Sequence, residues 1–433
     1  MKLPSQLEVV PTGPVAGAVA APASKSVTNR LLLMAALADG TSVLRTPLVS
    51  EDSAAMRDVV QGLGAAVWDV GSPGDEGHAW RVAGTGGRMT PAARTLDCRL
   101  SGTTIRFAAA VGCLAQGQVT LTGQEPLRRR SIGPLVQALR DLGAQVQDAE
   151  GFPPVTVGGG LAGGEVLVDV TGSSQFASAV LLAAPYARSD VSLSVTGGHA
   201  AAYVDLTIAT MEAWGADIRV PGPATWTVSA GTGYRASDLA VEYDASAAAH
   251  LLALAVATGG RVTVVNASST IQPDADITSV LTGFGATVAE EGSHLSVSGP
   301  DRPIALGTVD LSRMPDQVTT VAALAALAVG QTTIVGVEVA RGHETDRLAA
   351  LATELRKIGA QVEERVDGLV VDGSDSRGHA TLDTYHDHRL AMAFASIGAR
   401  LPGVVINDPG CVAKTFPAFW KTLVRLGGEV RSP

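Results

Sequence analysis

"LGAAVWDV", Leu63 to Val70, joins the end of an amphipathic pattern to the start of an alternating one, with a glycine at the joint. The arrangement returns five more times: "LGAQVQDA" at 142–149, "WGADIRVP" at 214–221, "FGATVAEE" at 284–291, "IGAQVEER" at 358–365 and "LGGEVRSP" at 426–433. The six glycines, Gly64, Gly143, Gly215, Gly285, Gly359 and Gly427, are 79, 72, 70, 74 and 68 residues apart. The apolar spacing before each predicts helices over about 51–63, 131–142, 203–214, 273–284, 344–358 and 414–426. Glycine just past a helix end supplies the left-handed conformation that stops it. The Val/Ile alternation that follows reads as a strand.

A second set of segments is apolar nearly all round, over about 26–39, 103–115, 174–187, 246–257, 316–328 and 388–399. A helix without a polar face is a buried one. Each unit therefore reads as strand, buried helix, strand, amphipathic helix, strand, strand. Six units with twelve helices predict an α/β chain with helices packed inside and short sheets outside.

The composition agrees and excludes several function classes. A chain of 433 residues is long enough for two or more domains. It is 46% hydrophobic but only 4% aromatic, so its cores must be built from Ala, Val and Leu. A net charge of -10 argues against nucleic-acid and anionic-membrane partners, though not against a local basic cluster around a small anion. Cys98, Cys113 and Cys411 are odd in number and form no CxxC or zinc-type spacing, as expected of reduced thiols. The opening "MKLPSQLEVVPTG" has no apolar core of a signal peptide, and no run approaches the length of a membrane span. A cytoplasmic location is the corresponding expectation. Only five of the 32 basic residues are lysine, namely Lys2, Lys25, Lys357, Lys414 and Lys421.

The chemistry gathers at the helix starts. The buried helices open with "SKSVTNR", "SGTTIR", "SSQF", "DASAA", "PDQVTT" and "HDHR". Helix N-termini carry unpaired N–H groups and partial positive charge, and so attract anions. Yet Lys25, Arg30, Arg106, Arg130, Arg347, His388, Arg389 and Lys414 sit at such openings. Each adds an unfavourable term of about 0.3–1 kcal/mol when exposed. An anionic ligand bearing several charges would resolve the conflict. Asp316 and Glu344 stand among these cations and should stay ionised. A close pair of carboxylates could divide general-base and general-acid work.

"ASKSVTNR", "GTTIRF", "SSQF", "ETDRL", "DHRLAMAF" and "AKTFP" together resemble the 5-enolpyruvylshikimate-3-phosphate synthase family, from near Pro22 to near Trp420. The resemblance implies a two-domain enolpyruvyl transferase fold with three βαβαββ units per domain. It places one domain at 1–22 plus 243–433, an inserted domain at 23–242, and the site in the cleft between them. It implies transfer of the enolpyruvyl group of phosphoenolpyruvate to the 5-hydroxyl of shikimate 3-phosphate through a tetrahedral intermediate, with release of phosphate. No metal or organic cofactor is implied, and a monomer is expected.

By motif, Lys25, Ser26, Arg30, Ser173, Ser174, Gln175, Tyr203, Asp316 and His343 would hold shikimate 3-phosphate, with Ser173 and Ser174 on its phosphate. Lys25, Gly102, Arg130, Gln175, Arg347, Arg389 and Lys414 would surround phosphoenolpyruvate, with Gly102 leaving room beside it and for glyphosate. Asp316 would accept the hydroxyl proton. Glu344, assisted by a lysine (Lys25 or Lys414) or His388, would protonate the methylene carbon.

Five positions depart from the family's usual residues. His343 stands where a lysine is common, which predicts weaker shikimate 3-phosphate binding as pH rises from about 6 to 8. Ala200 replaces a serine, and Val339 and Leu100 replace asparagines. Ser131 replaces a proline. The related UDP-N-acetylglucosamine enolpyruvyl transferases use a mobile-loop cysteine, which none of the three cysteines here matches. A non-catalytic phospholigand binder would not need Lys25, Asp316, Glu344 and Lys414, all of which are retained. An RNA-phosphate-binding protein built of similar units is disfavoured by the acidic balance.

Overall fold

The computed structural model describes residues 3–72, 77–197 and 201–433. Its chain divides into two compact units, Met1–Pro22 with Glu242–Pro433, and Ala23–Val241.

Within Ala23–Val241, three buried helices, Lys25–Leu37, Gly102–Gly112 and Gln175–Ala183, form the core. Eleven of the 13 residues of Lys25–Leu37 are buried, as expected for a helix with no polar face. The second helices of this unit are Glu51–Gly62 and Gly133–Asp141, both amphipathic, and Ala201–Ala213, which is largely apolar. The other unit buries Ala245–Thr258, Val318–Ala325 and His388–Arg400, and its amphipathic helices are Ile277–Gly283, Arg347–Lys357 and Phe419–Arg425. All six repeat glycines have positive φ, between 86° and 112°. A side chain there would be strained whatever space surrounds it, which is why the joint is glycine each time.

Three helix starts differ from the sequence reading. Residues 273–276 and 316–317 belong to the tight 3-10 turns Pro273–Asp276 and Pro315–Gln317, and the helix expected from 414 begins at Phe419, with Lys414 ending the 3-10 turn Pro409–Lys414. A proline at the first position suits a turn that lacks the i→i−4 bond.

The described strands form six four-stranded sheets, each with one parallel and two antiparallel pairings. The units are not closed along the chain. The sheet around Thr41–Arg45 takes its parallel edge strand from Asp238–Ala240. Ala16–Val19 completes the sheet of Arg261–Val264, and Gln6–Val10 lies between Val404–Asn407 and Glu429–Arg431. Each compact unit is thus stitched by a strand distant in sequence.

Candidate active site

Two clusters of the expected residues stand out, one in each unit. In the unit that contains both chain ends, Arg347 is the hub. It opens its helix, is 1% exposed, and meets three carboxylates. Its Nε donates to Asp387 Oδ2 at 2.8 Å, Nη1 to Asp316 Oδ1 at 2.6 Å, and Nη2 to Glu344 Oε2 at 2.9 Å. Arg389 Nη2 donates to the other oxygen of Asp316 at 2.9 Å. Lys414 Nζ donates to Glu344 Oε1 at 2.6 Å. The structure thereby brings together Asp316, Glu344, Arg347, Arg389 and Lys414. His388 lies alongside, with Nδ1 3.8 Å from Asp387 Oδ1.

Burial tends to raise the Asp316 carboxyl. Arg389, then His343 and Arg347, outweigh it and hold Asp316 well below the usual carboxylate range. Burial lowers the Arg347 guanidinium's affinity for its proton, but Asp387, Glu344 and Asp316 reverse this and raise it.

His343 lies against both Arg347 and Asp316. Its Nδ1 lies 2.8 Å from Arg347 Nη1 and 3.2 Å from Asp316 Oδ1, so one ring nitrogen faces a donor and an acceptor. Burial and Arg347 lower its pKa against the opposing pull of Asp316. A lowered pKa works against the charged imidazole on which the expected loss of ligand binding between pH 6 and 8 depends.

Asp387 was not among the expected site residues. It caps its helix by accepting from Arg389 N at 2.9 Å while gripping Arg347. Its signal was the acid in "HDHR", directly before a helix rich in cations. His250 was missed too. It is fully buried, its Nδ1 lies 3.2 Å from Thr320 Oγ1, and burial, Arg389 and Arg347 keep it neutral. A lone histidine in the apolar run "AAAHLLAL" was its signal.

In the other unit, Arg30 is 2% exposed and makes no ion pair among the described residues. Its Nε donates to Thr207 Oγ1 at 2.8 Å and Nη1 to Ser26 O at 3.1 Å. Nη2 reaches Ser178 Oγ and Tyr203 O, each at 3.4 Å, and the guanidinium lies over the Phe107 ring. Each of these partners is neutral, and burial lowers the pKa of Arg30 to about 10. Ser26 and Tyr203 thus meet Arg30 through their main-chain carbonyls. Thr207 and Ser178 were not anticipated. Lys25 opens the same helix, with Nζ 3.5 Å from the buried Asp52, also unanticipated.

Gln175 links the neighbouring helix starts. Its Oε1 accepts from Arg106 Nη1 at 2.7 Å, and its Nε2 donates to Thr103 Oγ1 at 3.2 Å. Ser173 Oγ accepts from Gln175 N at 3.3 Å, while Ser174 makes no side-chain cap. A Cβ on Gly102 would stand 2.8 Å from Arg130 Nη1. The space that Gly102 leaves open is therefore bounded by the Arg130 guanidinium.

Of the departures, Ser131 holds a turn, accepting from Gly133 N at 3.3 Å and donating to Gly151 O at 3.4 Å. Ala200 lies outside the described residues. Val339 falls within the 3-10 turn Glu338–Gly342, and Leu100 is partly buried. Burial raises all three thiols, Cys113 and Cys411 to about 12. Among the described residues, no group of three or more His, Cys, Asp or Glu side chains is placed to hold a metal ion, and no helix is long and apolar enough to cross a membrane.

A family profile described as EPSP synthase (3-phosphoshikimate 1-carboxyvinyltransferase) matches residues 9–423. A 3-phosphoshikimate 1-carboxyvinyltransferase of Methanosphaerula palustris is 40% identical over 422 residues, covering 96% of this chain and 98% of that one. One of Kocuria rhizophila is 41% identical over 423 residues, covering 95% and 94%. An EPSP synthase structure from Acinetobacter baumannii superposes with a TM-score of 0.79 at 25% identity, covering 99% of this chain and all of that one. The fold is the two-domain enolpyruvyl transferase fold, and the chain belongs to the EPSP synthase (3-phosphoshikimate 1-carboxyvinyltransferase) family.

Proposed function

We propose that the chain transfers the enolpyruvyl group of phosphoenolpyruvate to the 5-hydroxyl of shikimate 3-phosphate and releases phosphate, the shikimate-pathway step leading to chorismate and the aromatic amino acids. Family membership supports the reaction. The observation from the chain's own structure that carries the siting is Arg30, a buried guanidinium whose described partners are all neutral oxygens. A buried charge without a counter-charge is costly. A phosphorylated acceptor supplies the missing negative charge, with Lys25 and the hydroxyls of Ser173 and Ser174 beside it.

The Arg347 cluster poses the opposite problem. Its cations are already paired, so phosphoenolpyruvate must compete with Asp316, Asp387 and Glu344 for them. When the donor's anionic groups draw Arg347 and Arg389 away, Asp316 loses the charges that depress it. It then becomes a better base for the acceptor hydroxyl. Glu344, bonded to Lys414, is within one contact of both a proton source and the arginine hub. It protonates the methylene carbon as the hydroxyl oxygen attacks the adjacent carbon. Loss of phosphate and of a methyl proton then restores the double bond. Lys25, Gln175, Arg130 and Lys414 complete the donor site, with His343 serving as a neutral partner of Arg347. The chain works as a cytoplasmic monomer on small-molecule substrates, without a metal or cofactor.

The test is phosphate release with both substrates present, repeated with Asp316→Ala. Release that requires both substrates and falls at least 100-fold in the variant is expected. No release from the wild-type protein with this pair overturns the reading.

A further inference from the structure

The short segment between Leu382 and His388 enters the candidate site with two successive residues in the left-handed region, Tyr385 at φ 52° and His386 at φ 59°. Neither is glycine, and a side chain makes this conformation uncommon, more so for tyrosine than for histidine, so two in succession need support from their surroundings. The imposing contacts are visible on both sides. Tyr385 is exposed, yet its hydroxyl donates to Glu354 Oε1 at 2.7 Å. Glu354 is fully buried and also accepts from Asp383 N at 2.9 Å and from Lys357 Nζ at 2.6 Å. On the other side, His386 Nδ1 lies 2.6 Å from Asp408 Oδ2, at the start of the turn that carries Lys414.

Glu354 lies seven residues after Arg347 in one helix, two turns along the same face. That helix therefore holds the segment at two points. Arg347 grips Asp387 at one end, and Glu354 grips Tyr385 and Asp383 at the other. The residue after this strained pair is Asp387, whose carboxylate orients Arg347 and caps the helix bearing Arg389.

We propose that Tyr385 is a positioning residue of the active site: its hydroxyl bond to Glu354 locks the strained 385–386 turn that aims Asp387 at Arg347 and sets Arg389 against Asp316. The lock follows from the contacts of Tyr385, Glu354 and Asp387; its consequence for turnover rests on the function proposed above.

Tyr385→Phe tests it, because the variant keeps the exposed ring and removes one hydroxyl. Amide hydrogen exchange of the free protein over residues 383–390 is expected to quicken at least tenfold, with exchange elsewhere and the melting temperature nearly unchanged. In turnover, KM for phosphoenolpyruvate is expected to rise fivefold or more, while KM for shikimate 3-phosphate stays within twofold. Combined with Asp387→Asn, Tyr385→Phe should add no further loss, since both act through one contact. Unchanged exchange over 383–390 overturns the proposal. So does a loss fully additive with Asp387→Asn, or an equal rise in both KM values with a lower melting temperature, which would mark a general structural role. If the wild-type protein turns over neither substrate, the functional reading falls, and the exchange measurement still decides the lock.

Discussion

Arg30 and Arg347 are equally hidden, one in each compact unit, and their described surroundings are opposite. Arg347 meets three carboxylates and holds its proton more tightly than a free guanidinium. Arg30 meets neutral oxygens and an aromatic ring, and its pKa falls to about 10. The first is a structural hub that a ligand must disturb. The second is a charge that a ligand can complete. Burying that charge costs stability at every pH below about 10, because the folded state there binds a proton less readily than the unfolded state.

The largest way to break the comparison is to remove each arginine. Arg347→Met takes the arginine from the buried Asp387, while Asp316 keeps Arg389 and Glu344 keeps Lys414, and should cost about 3–5 kcal/mol in urea unfolding. Arg30→Met should cost about 1 kcal/mol or less, because the Thr207 hydroxyl, 2.9 Å from both Ser178 Oγ and Tyr203 O, can donate its one proton to either. Equal losses would mean that Arg30 is paired in solution. Adding shikimate 3-phosphate at about 100 times its Kd should stabilise the wild-type protein by about 2.7 kcal/mol. In Arg30→Met the same concentration should give a small fraction of that shift. A full shift in the variant would remove Arg30 from the acceptor site.

Lys25→Arg probes the same opening at smaller scale. The ammonium 3.5 Å from Asp52 is a compact point charge, whereas a guanidinium is a wide planar fork. Turnover should drop more than tenfold with the fold intact by circular dichroism; wild-type-like rates would exclude Lys25 from the chemistry.

Two pH effects sharpen the other half. The folded-state pKa of Asp316 is depressed, so its contribution to stability is present above the unfolded value near 3.9 and lost as pH falls below it. Asp316→Asn should therefore flatten the acid limb of the stability curve below about pH 4, and an unchanged limb would contradict the depressed carboxyl. The smallest effect belongs to His343. Its folded pKa lies below 6.5, so the ring is neutral above that pH. KM for shikimate 3-phosphate should stay flat from about pH 6.5 to 8 in the wild-type protein and in His343→Gln. A rise confined to the wild-type protein would restore a charged role for His343.

The repeat was the most legible part of the chain. All six joint glycines adopt positive φ, and the twelve helices fall within a few residues of their expected places. The misread starts share a feature: each lies in or just after a 3-10 turn that opens with a proline, Pro273, Pro315 or Pro409, and proline is equally at home in the first turn of an α-helix. At the site, cations at helix openings were visible because they contradict the helix dipole. Asp52, Asp387, Thr207 and His250 were overlooked because each is ordinary where it stands. An aspartate before or within the first helical turn, a threonine in a helix and a histidine among alanines all have common structural explanations.

What the sequence determined alone is local: where helices stop, which are buried, and which openings carry the wrong charge. These depend on backbone conformation and periodicity, which are written within a few residues. Tertiary structure decided which charge meets which. Arg347 finds Asp387 forty residues on and Asp316 thirty-one residues back, while Arg30 finds neutral oxygens 148 to 177 residues away and one of its own turn. Charge pairing falls off over a few ångströms, and distance in space is set by packing rather than by position along the chain.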